Sequence, residues 1–259
     1  MTIYLDHAAT TPINAQALDA LNEQIKKLGN ASSVHNQGRA VRKDVEDARH
    51  KLSELIGSVP SEIIFTASGT EANNLALKGF YWKSGKKLIV TSNFEHHAVL
   101  DPVEWLGNHQ GAEVIYIPVK RDGYIDLDFL KKVVSERGNE IAVISIMHSN
   151  NELGSIQPIS QVVEIAGDIP VHTDAVQSFG KVEFNFDSLG VSAATISAHK
   201  LGGPLGVAAL VLKHGIDLAP LLHGGGQERE IRSGTLNAPA ICAFAAAITE
   251  YPSEQVSNL

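Results

Sequence analysis

The chain has 259 residues, 44% of them hydrophobic, with 21 basic against 29 acidic side chains and a net charge of −8. That balance fits one large domain, or one domain and part of another, and argues against a nucleic-acid surface, which needs clustered Lys and Arg. No run approaches the ~18 consecutive apolar residues of a membrane span. The first residues lack a basic-then-apolar leader, and the single cysteine, Cys242, fits a reducing, cytoplasmic compartment.

In chain order, residues 3–5 predict a short strand and residues 6–12 a loop. Leu18, Leu21, Ile25 and Leu28 recur at helical spacing over residues 15–28, with Gly29 and Asn30 as the stop. After a loop at Ala31-Ser32-Ser33, a charged amphipathic helix is expected from Gly38 to Ile56. Val41, Val45, Ala48, Leu52, Leu55 and Ile56 share one face, and Gly57 closes it. The rhythm then changes. Apolar strands at residues 62–66, 87–91, 113–117, 141–146 and 171–174 alternate with helices at 68–82, 98–109, 127–136 and 159–166. Such alternation predicts an α/β fold, a mostly parallel sheet flanked by helices. Residues 193–197 and 207–212 add two strands joined by a glycine-rich turn, the second a candidate for antiparallel pairing. The stretch 241–250 reads as an apolar helix that needs something to pack on. Its position near residue 259 raises the expectation that a following domain is missing.

Open α/β sheets bind ligands beyond the carboxyl ends of their strands. After Phe65 come Ser68, Gly69, Thr70 and Glu71 at a helix start, which reads equally as a phosphate cup or as an ordinary cap. After Val90 come His96 and His97. They lack a third partner at metal-ligand spacing, so no metal is expected, and a flat imidazole can stack on an aromatic ring. After Ile146 comes an amide-rich turn with Asn150 and Asn151. After His172 comes Asp174, followed by Gln177. A buried strand-end carboxylate calls for a cation such as a pyridinium nitrogen, or caps the next turn. After Ile196 come Ser197, His199 and Lys200. A lysine at the tip of a buried strand is partly desolvated, which lowers its pKa and frees its amine for imine chemistry. Together these are the parts pyridoxal 5′-phosphate requires: an imine lysine, an acid for the ring nitrogen and a phosphate cup.

At these residues the sequence resembles the NifS/IscS cysteine desulfurases, fold-type I pyridoxal-phosphate enzymes of the class V aminotransferase group. The resemblance runs from Tyr4-Leu5-Asp6-His7-Ala8-Ala9-Thr10-Thr11-Pro12 to the stretch between Gly224 and Thr235. It includes Gly69-Thr70-Glu71-Ala72-Asn73-Asn74, Glu95-His96-His97, Met147-His148-Ser149-Asn150-Asn151, Asp174-Ala175-Val176-Gln177 and Ser197-Ala198-His199-Lys200. It implies that Lys200 is the Schiff-base lysine and that His96 stacks on the ring and moves protons. It implies that Asp174 partners the pyridine nitrogen, and that Gln177 and Asn151 lie near the ring oxygen. Gly69, Thr70, Ser197 and His199 would contact the phosphate, and Thr235 would reach the phosphate of the other subunit of a homodimer. Ala31 and Leu205 depart from the family's usual Pro and Lys.

The implied reaction takes sulfur from L-cysteine, leaving alanine and an enzyme persulfide. The sulfur then passes to an acceptor protein for iron–sulfur clusters or tRNA thiolation, with no direct nucleic-acid or membrane contact. The implied domains are an N-terminal segment at 1–14 near the active site, a cofactor-binding large domain at 15–250, and the start of a truncated C-terminal region at 251–259. That truncation removes the family's nucleophilic-cysteine loop and substrate-binding arginine, and Cys242, in an apolar stretch, reads as a structural thiol. Open alternatives are a selenocysteine lyase or aminotransferase of the same fold, and an inactive fragment or pseudoenzyme.

Overall fold

The structure, a computed structural model, describes residues 3–248. Its centre is a seven-stranded sheet: β1 (Ile63–Thr66), β2 (Leu88–Ser92), β3 (Glu113–Ile117), β4 (Ile141–Ser145), β5 (Val171–Asp174), β6 (Ala193–Ser197) and β7 (Ala208–Leu212). The spatial order is β1-β7-β6-β5-β4-β2-β3. Only β7 runs against the rest, pairing antiparallel with both β6 and β1.

Among the described residues eight α-helices surround the sheet: α1 (Ala15–Gln24), α2 (Asn36–Ile56), α3 (Gly69–Ser84), α4 (His97–Gln110), α5 (Leu127–Arg137), α6 (Ile159–Ala166), α7 (Phe186–Leu189) and α8 (Ala238–Ala247). The alternation of side chains along each strand divides the core into two layers. Ile63 and Phe65 face the layer built with α2, α5, α6 and α8. Ile64, between them, faces the layer built with α3 and α4. The inner strands are buried on both faces, which is why they read as unbroken apolar runs.

Three expectations are corrected. Residues 3–5 form no strand: Ile3 and Leu5 are exposed, and none of the three joins the seven-stranded sheet. The first helix ends at Gln24, not Leu28. It buries Ala17 and Gln24 rather than the leucine stripe, because it packs on small residues of α8, Ala243 and Ala247. The apolar terminal helix starts earlier, at Ala238 behind an Asn237 cap, and is buried between α1 and α2. The remainder of that expected helix, 249–250, lies outside the described residues, as does the region 251–259.

Because β1, β2, β4, β5 and β6 are parallel, their carboxyl ends emerge along one side of the sheet. Thr66, Ser92, Asp174 and Ser197 are the last residues of four of them. Residues 3–14 reach this side as an irregular strap. Thr11 N donates to His199 O at 2.9 Å, Asn14 N to Gly202 O at 2.8 Å, and Gly202 N to Thr11 Oγ1 at 2.7 Å.

Candidate functional site

A cavity of about 220 Å³ opens at this side of the sheet. Ser68, Gly69, Thr70, Asn73, His96, Ala98, Met147, Asn151, Asp174, Val176, Gln177, Ser197, His199 and Lys200 line it. Nine of the ten residues singled out in the sequence are therefore gathered from five separate strand ends. The tenth, Thr235, is exposed and does not line the cavity.

One wall is the start of α3. Ser68 is extended and its hydroxyl accepts from Glu71 N at 3.1 Å, which fixes where the helix begins. The N–H groups of a helix's first turn have no partner within the helix and carry the positive end of its dipole, so they attract anions. Gly69 brings this turn close to the neighbouring strands. A Cβ there would meet Val176 Cγ2 at 3.1 Å, and Ser197 Cβ and Thr195 Cγ2 at 3.7 Å. Ser197, at the end of β6, and His199 add a hydroxyl and an imidazole to the same lining.

Asp174 closes β5. Its carboxylate accepts from Asn73 Nδ2 at 2.6 Å and from Val176 N at 2.9 Å. Burial pushes its carboxyl above the usual range, against those two hydrogen bonds and the charges of His96 and Lys200. Asn73 Oδ1 is buried and has no partner in the fold. An approaching cation would relieve the buried carboxylate, and a donor would satisfy the amide oxygen.

Lys200 follows β6 in a short turn and is half-buried. Its Nζ donates to Ala8 O and to Ala9 O, the latter at 2.7 Å, so the N-terminal strap holds the amine. Burial lowers the pKa of Lys200, opposed by the negative charges of Asp6 and Asp174. Lys181, whose Nζ donates to Gln177 Oε1 at 3.0 Å, and His199 are lowered by burial and by the charge of Lys200. Gln177 in turn donates to Ala8 O at 2.8 Å.

His96 caps α4: its Nδ1 accepts from Ala98 N at 3.0 Å, which leaves the proton of the neutral ring on Nε2. His97 points elsewhere, 3.1 Å from Asp101, and does not line the cavity. Asn151 lines the rim and donates to Glu152 at 2.8 Å. Among the described residues, no group of three or more His, Cys, Asp or Glu side chains could hold a metal ion. No helix among them is long and apolar enough to cross a membrane.

Cys242 is not part of this cavity. It sits on α8, half-buried, with Sγ 3.7 Å from Asp44 O of α2. Burial, reinforced by Asp44, pushes its thiol up to about 11, so it carries almost no thiolate at neutral pH.

Sequence reasoning quoted but gave no role to Asn73, which lines the cavity, and Glu95, which is buried against Met147 of the lining. Their signal was a polar residue inside an otherwise recognisable strand end or helix face, too common to single out. Glu95 is fully enclosed. Its Oε1 accepts from Ser92 Oγ at 2.7 Å and Met147 N at 3.0 Å, while Oε2 has no partner. Burial pushes its carboxyl up to about 8, with the charge of Asp174 adding to the effect and the two hydrogen bonds opposing it. The folded chain thus keeps a proton that the unfolded chain releases near 4.5. Between those values the folded state binds more protons, so this group's contribution to stability falls as pH rises. Urea denaturation from pH ~5 to ~8 is expected to show Glu95→Gln gaining on the parent chain by several kcal/mol. Parallel pH profiles for the two chains would contradict a buried neutral Glu95.

Comparison with known proteins fits this geometry. The family described as "Aminotransferase class-V" matches residues 3–257. An IscS-like cysteine desulfurase of Mycobacterium tuberculosis is 43% identical over 251 residues, which is 94% of this chain and 64% of that protein. A cysteine desulfurase IscS of Dictyoglomus turgidum is 47% identical over 251 residues, 95% of this chain and 63% of that protein. The chain therefore spans just under two thirds of the length of these relatives. Among solved structures, a NifS-like protein superposes with a TM-score of 0.90 at 39% identity, covering 95% of this chain and 68% of its own. SspA in complex with cysteine superposes with a TM-score of 0.93 at 35% identity, covering 99% and 75%.

Proposed function

We propose that this chain, which belongs to the aminotransferase class-V family, is the cofactor-binding part of a cysteine desulfurase that holds pyridoxal 5′-phosphate in the strand-end cavity. The observation that carries this reading is the convergence of Lys200, Asp174 and the α3 N-terminus on one cavity. The donor set suits that molecule: an amine of lowered pKa, a buried carboxylate lacking a cation, and an anion-attracting helix end. When bound, such a cofactor supplies an electron sink for bonds around an amino acid's α-carbon.

The chain's own residues divide the remaining work. Lys200 would hold the cofactor's aldehyde carbon through Nζ, and an amine of lowered pKa in the cavity is suited to carrying a proton. Asp174 holds a positive charge on the ring nitrogen, because a buried carboxylate is stabilised most by a cation. The first turn of α3, Thr70, Ser197 and His199 hold the phosphate. His96, in the cavity lining, would lie against the ring and offer a proton at Nε2. Asn151 and Gln177 orient the ring oxygen. Thr235 is exposed and does not line its own chain's cavity, and in a homodimer it would reach the phosphate held by the second copy.

L-cysteine is the proposed substrate, supported by the named activity of the relatives and by the cysteine in a similar solved structure. A sulfur acceptor for iron–sulfur cluster assembly or tRNA thiolation is the proposed partner, and the cytoplasm the proposed setting. Cys242 is not the proposed sulfur-accepting thiol, being protonated and packed on α2.

The test is direct. Titration with pyridoxal phosphate is expected to turn the protein yellow. Reduction with borohydride should then leave the label on the peptide carrying Lys200. Incubation of the loaded chain with L-cysteine should leave Cys242 free of persulfide by mass spectrometry. A chain that takes up no pyridoxal phosphate, or one that accumulates persulfide on Cys242, would overturn the corresponding part of the proposal.

A further inference from the structure

Glu71 is the acidic residue in the first turn of α3. A carboxylate there favours the helix dipole but competes with any anion drawn to the same turn. Here that carboxylate is fully engaged. Its Oε2 accepts from Ala67 N at 2.9 Å, and its Oε1 accepts from Arg232 Nε at 2.7 Å. Both side chains of this ion pair are only about one-seventh exposed (14% and 15%), and Glu71 does not line the cavity.

Arg232 lies in a tightly hydrogen-bonded loop. Glu228 and Arg232 exchange backbone hydrogen bonds at 3.0 and 3.2 Å. Between them Arg229 and Glu230 both adopt left-handed backbone, φ 53° and 60°, a conformation costly for such residues. Side chains tie the loop together, with Gly234 N donating to Gln227 Oε1 at 2.8 Å and Gly226 N to Ser233 Oγ at 3.1 Å. The buried Glu228 carboxylate then fastens it to the sheet, accepting from Phe65 N at 2.8 Å and from both terminal nitrogens of Arg49 at 2.7 and 2.8 Å.

We propose that Arg232 is a positioning residue for anion binding: by neutralising Glu71 it leaves the positive end of α3 available to the phosphate of the cofactor. The inference rests on the cofactor reading above. It assigns the strained loop a role inside its own chain, separate from that of Thr235.

The experiment compares equilibrium binding of pyridoxal phosphate and of pyridoxal, which lacks the phosphate, with inorganic phosphate as competitor. Arg232→Gln is expected to weaken pyridoxal phosphate about tenfold, the scale of one unmasked like charge acting through a partly screened interior, with pyridoxal unchanged. Adding Glu71→Gln to Arg232→Gln should restore the affinity. Glu71→Gln alone keeps the loop and Arg232 intact, so it tests the same idea even where Arg232→Gln fails to fold. It should bind pyridoxal phosphate, and compete with inorganic phosphate, at least as well as the parent. Equal weakening for both ligands, no recovery in the double variant, or weakening by Glu71→Gln alone would overturn the proposal. A parent chain that binds no pyridoxal phosphate would instead defeat the cofactor reading itself, so the two failures are distinct.

Discussion

Replacing Glu228 with alanine is expected to lower the unfolding free energy by about 3–5 kcal/mol, the cost of leaving a buried charge unpaired. Arg49 is the charge in question. It lies on α2 with its side chain only 10% exposed, and Glu228 is 1% exposed. The pair is bidentate, and Phe65 N, on the same carboxylate, would lose its acceptor as well. Arg49 keeps two lesser partners, Ile63 O at 2.7 Å and the half-exposed Glu46 at 3.1 Å, which limit the loss but do not cancel a buried positive charge. Glu228→Gln should fall between the two, since an amide can still accept from Arg49 and Phe65. Urea denaturation of the three chains gives the comparison. A loss below about 1 kcal/mol for Glu228→Ala would mean that Arg49 finds water or rotates to solvent, contrary to a typical buried pair.

The second large effect concerns chemistry rather than stability. Lys200→Ala is expected to abolish borohydride-trapped labelling by pyridoxal phosphate, while changing stability little, because the side chain is half-exposed and its partners are backbone carbonyls at the surface. The informative competitor is Lys181, a second amine beside the cavity whose pKa is also lowered by burial. Lys181 is held by Gln177 and does not line the cavity, so it should take no label in either chain. Peptide mapping after reduction decides the matter. Label found on Lys181 in the parent chain would move the reactive amine away from Lys200.

Much of this could be read before any coordinates. Strands at residues 113–117, 171–174 and 193–197 and the helix at 159–166 carry their own signatures: apolar runs of strand length, helical spacing, glycine or polar stops. Strand-end logic then placed Lys200, Asp174, His96 and Gly69 together, because a parallel sheet must bring those ends to one side. Other features were illegible for stated physical reasons. The stripe Leu18, Leu21, Ile25, Leu28 suggested a long buried face, yet Leu18 is 43% exposed and Leu28 85%. Which face of α1 is covered depends on the small residues of α8, more than two hundred positions away. Glu71 read as a simple cap, since no local pattern announces that Arg232 will neutralise it. The upward shift of Glu95 likewise comes from enclosure by distant elements, not from its neighbours in sequence.

The strap formed by residues 3–14 has a further consequence, for the order in which the molecule is made. Ala8 and Ala9 hold Lys200, Thr11 holds His199 and Gly202, and Asn14 bonds both Gly202 and Ala247. These bonds join positions some 190 to 230 residues apart in the chain. During synthesis the strap emerges before β6, and it has nothing to close upon until β6 and its turn have been translated. Long-range closures of this kind are slow and leave unpaired segments exposed in the meantime. The wall beside Lys200 is thus closed by an earlier segment that waits for a later one, and capture of a small molecule there follows that closure.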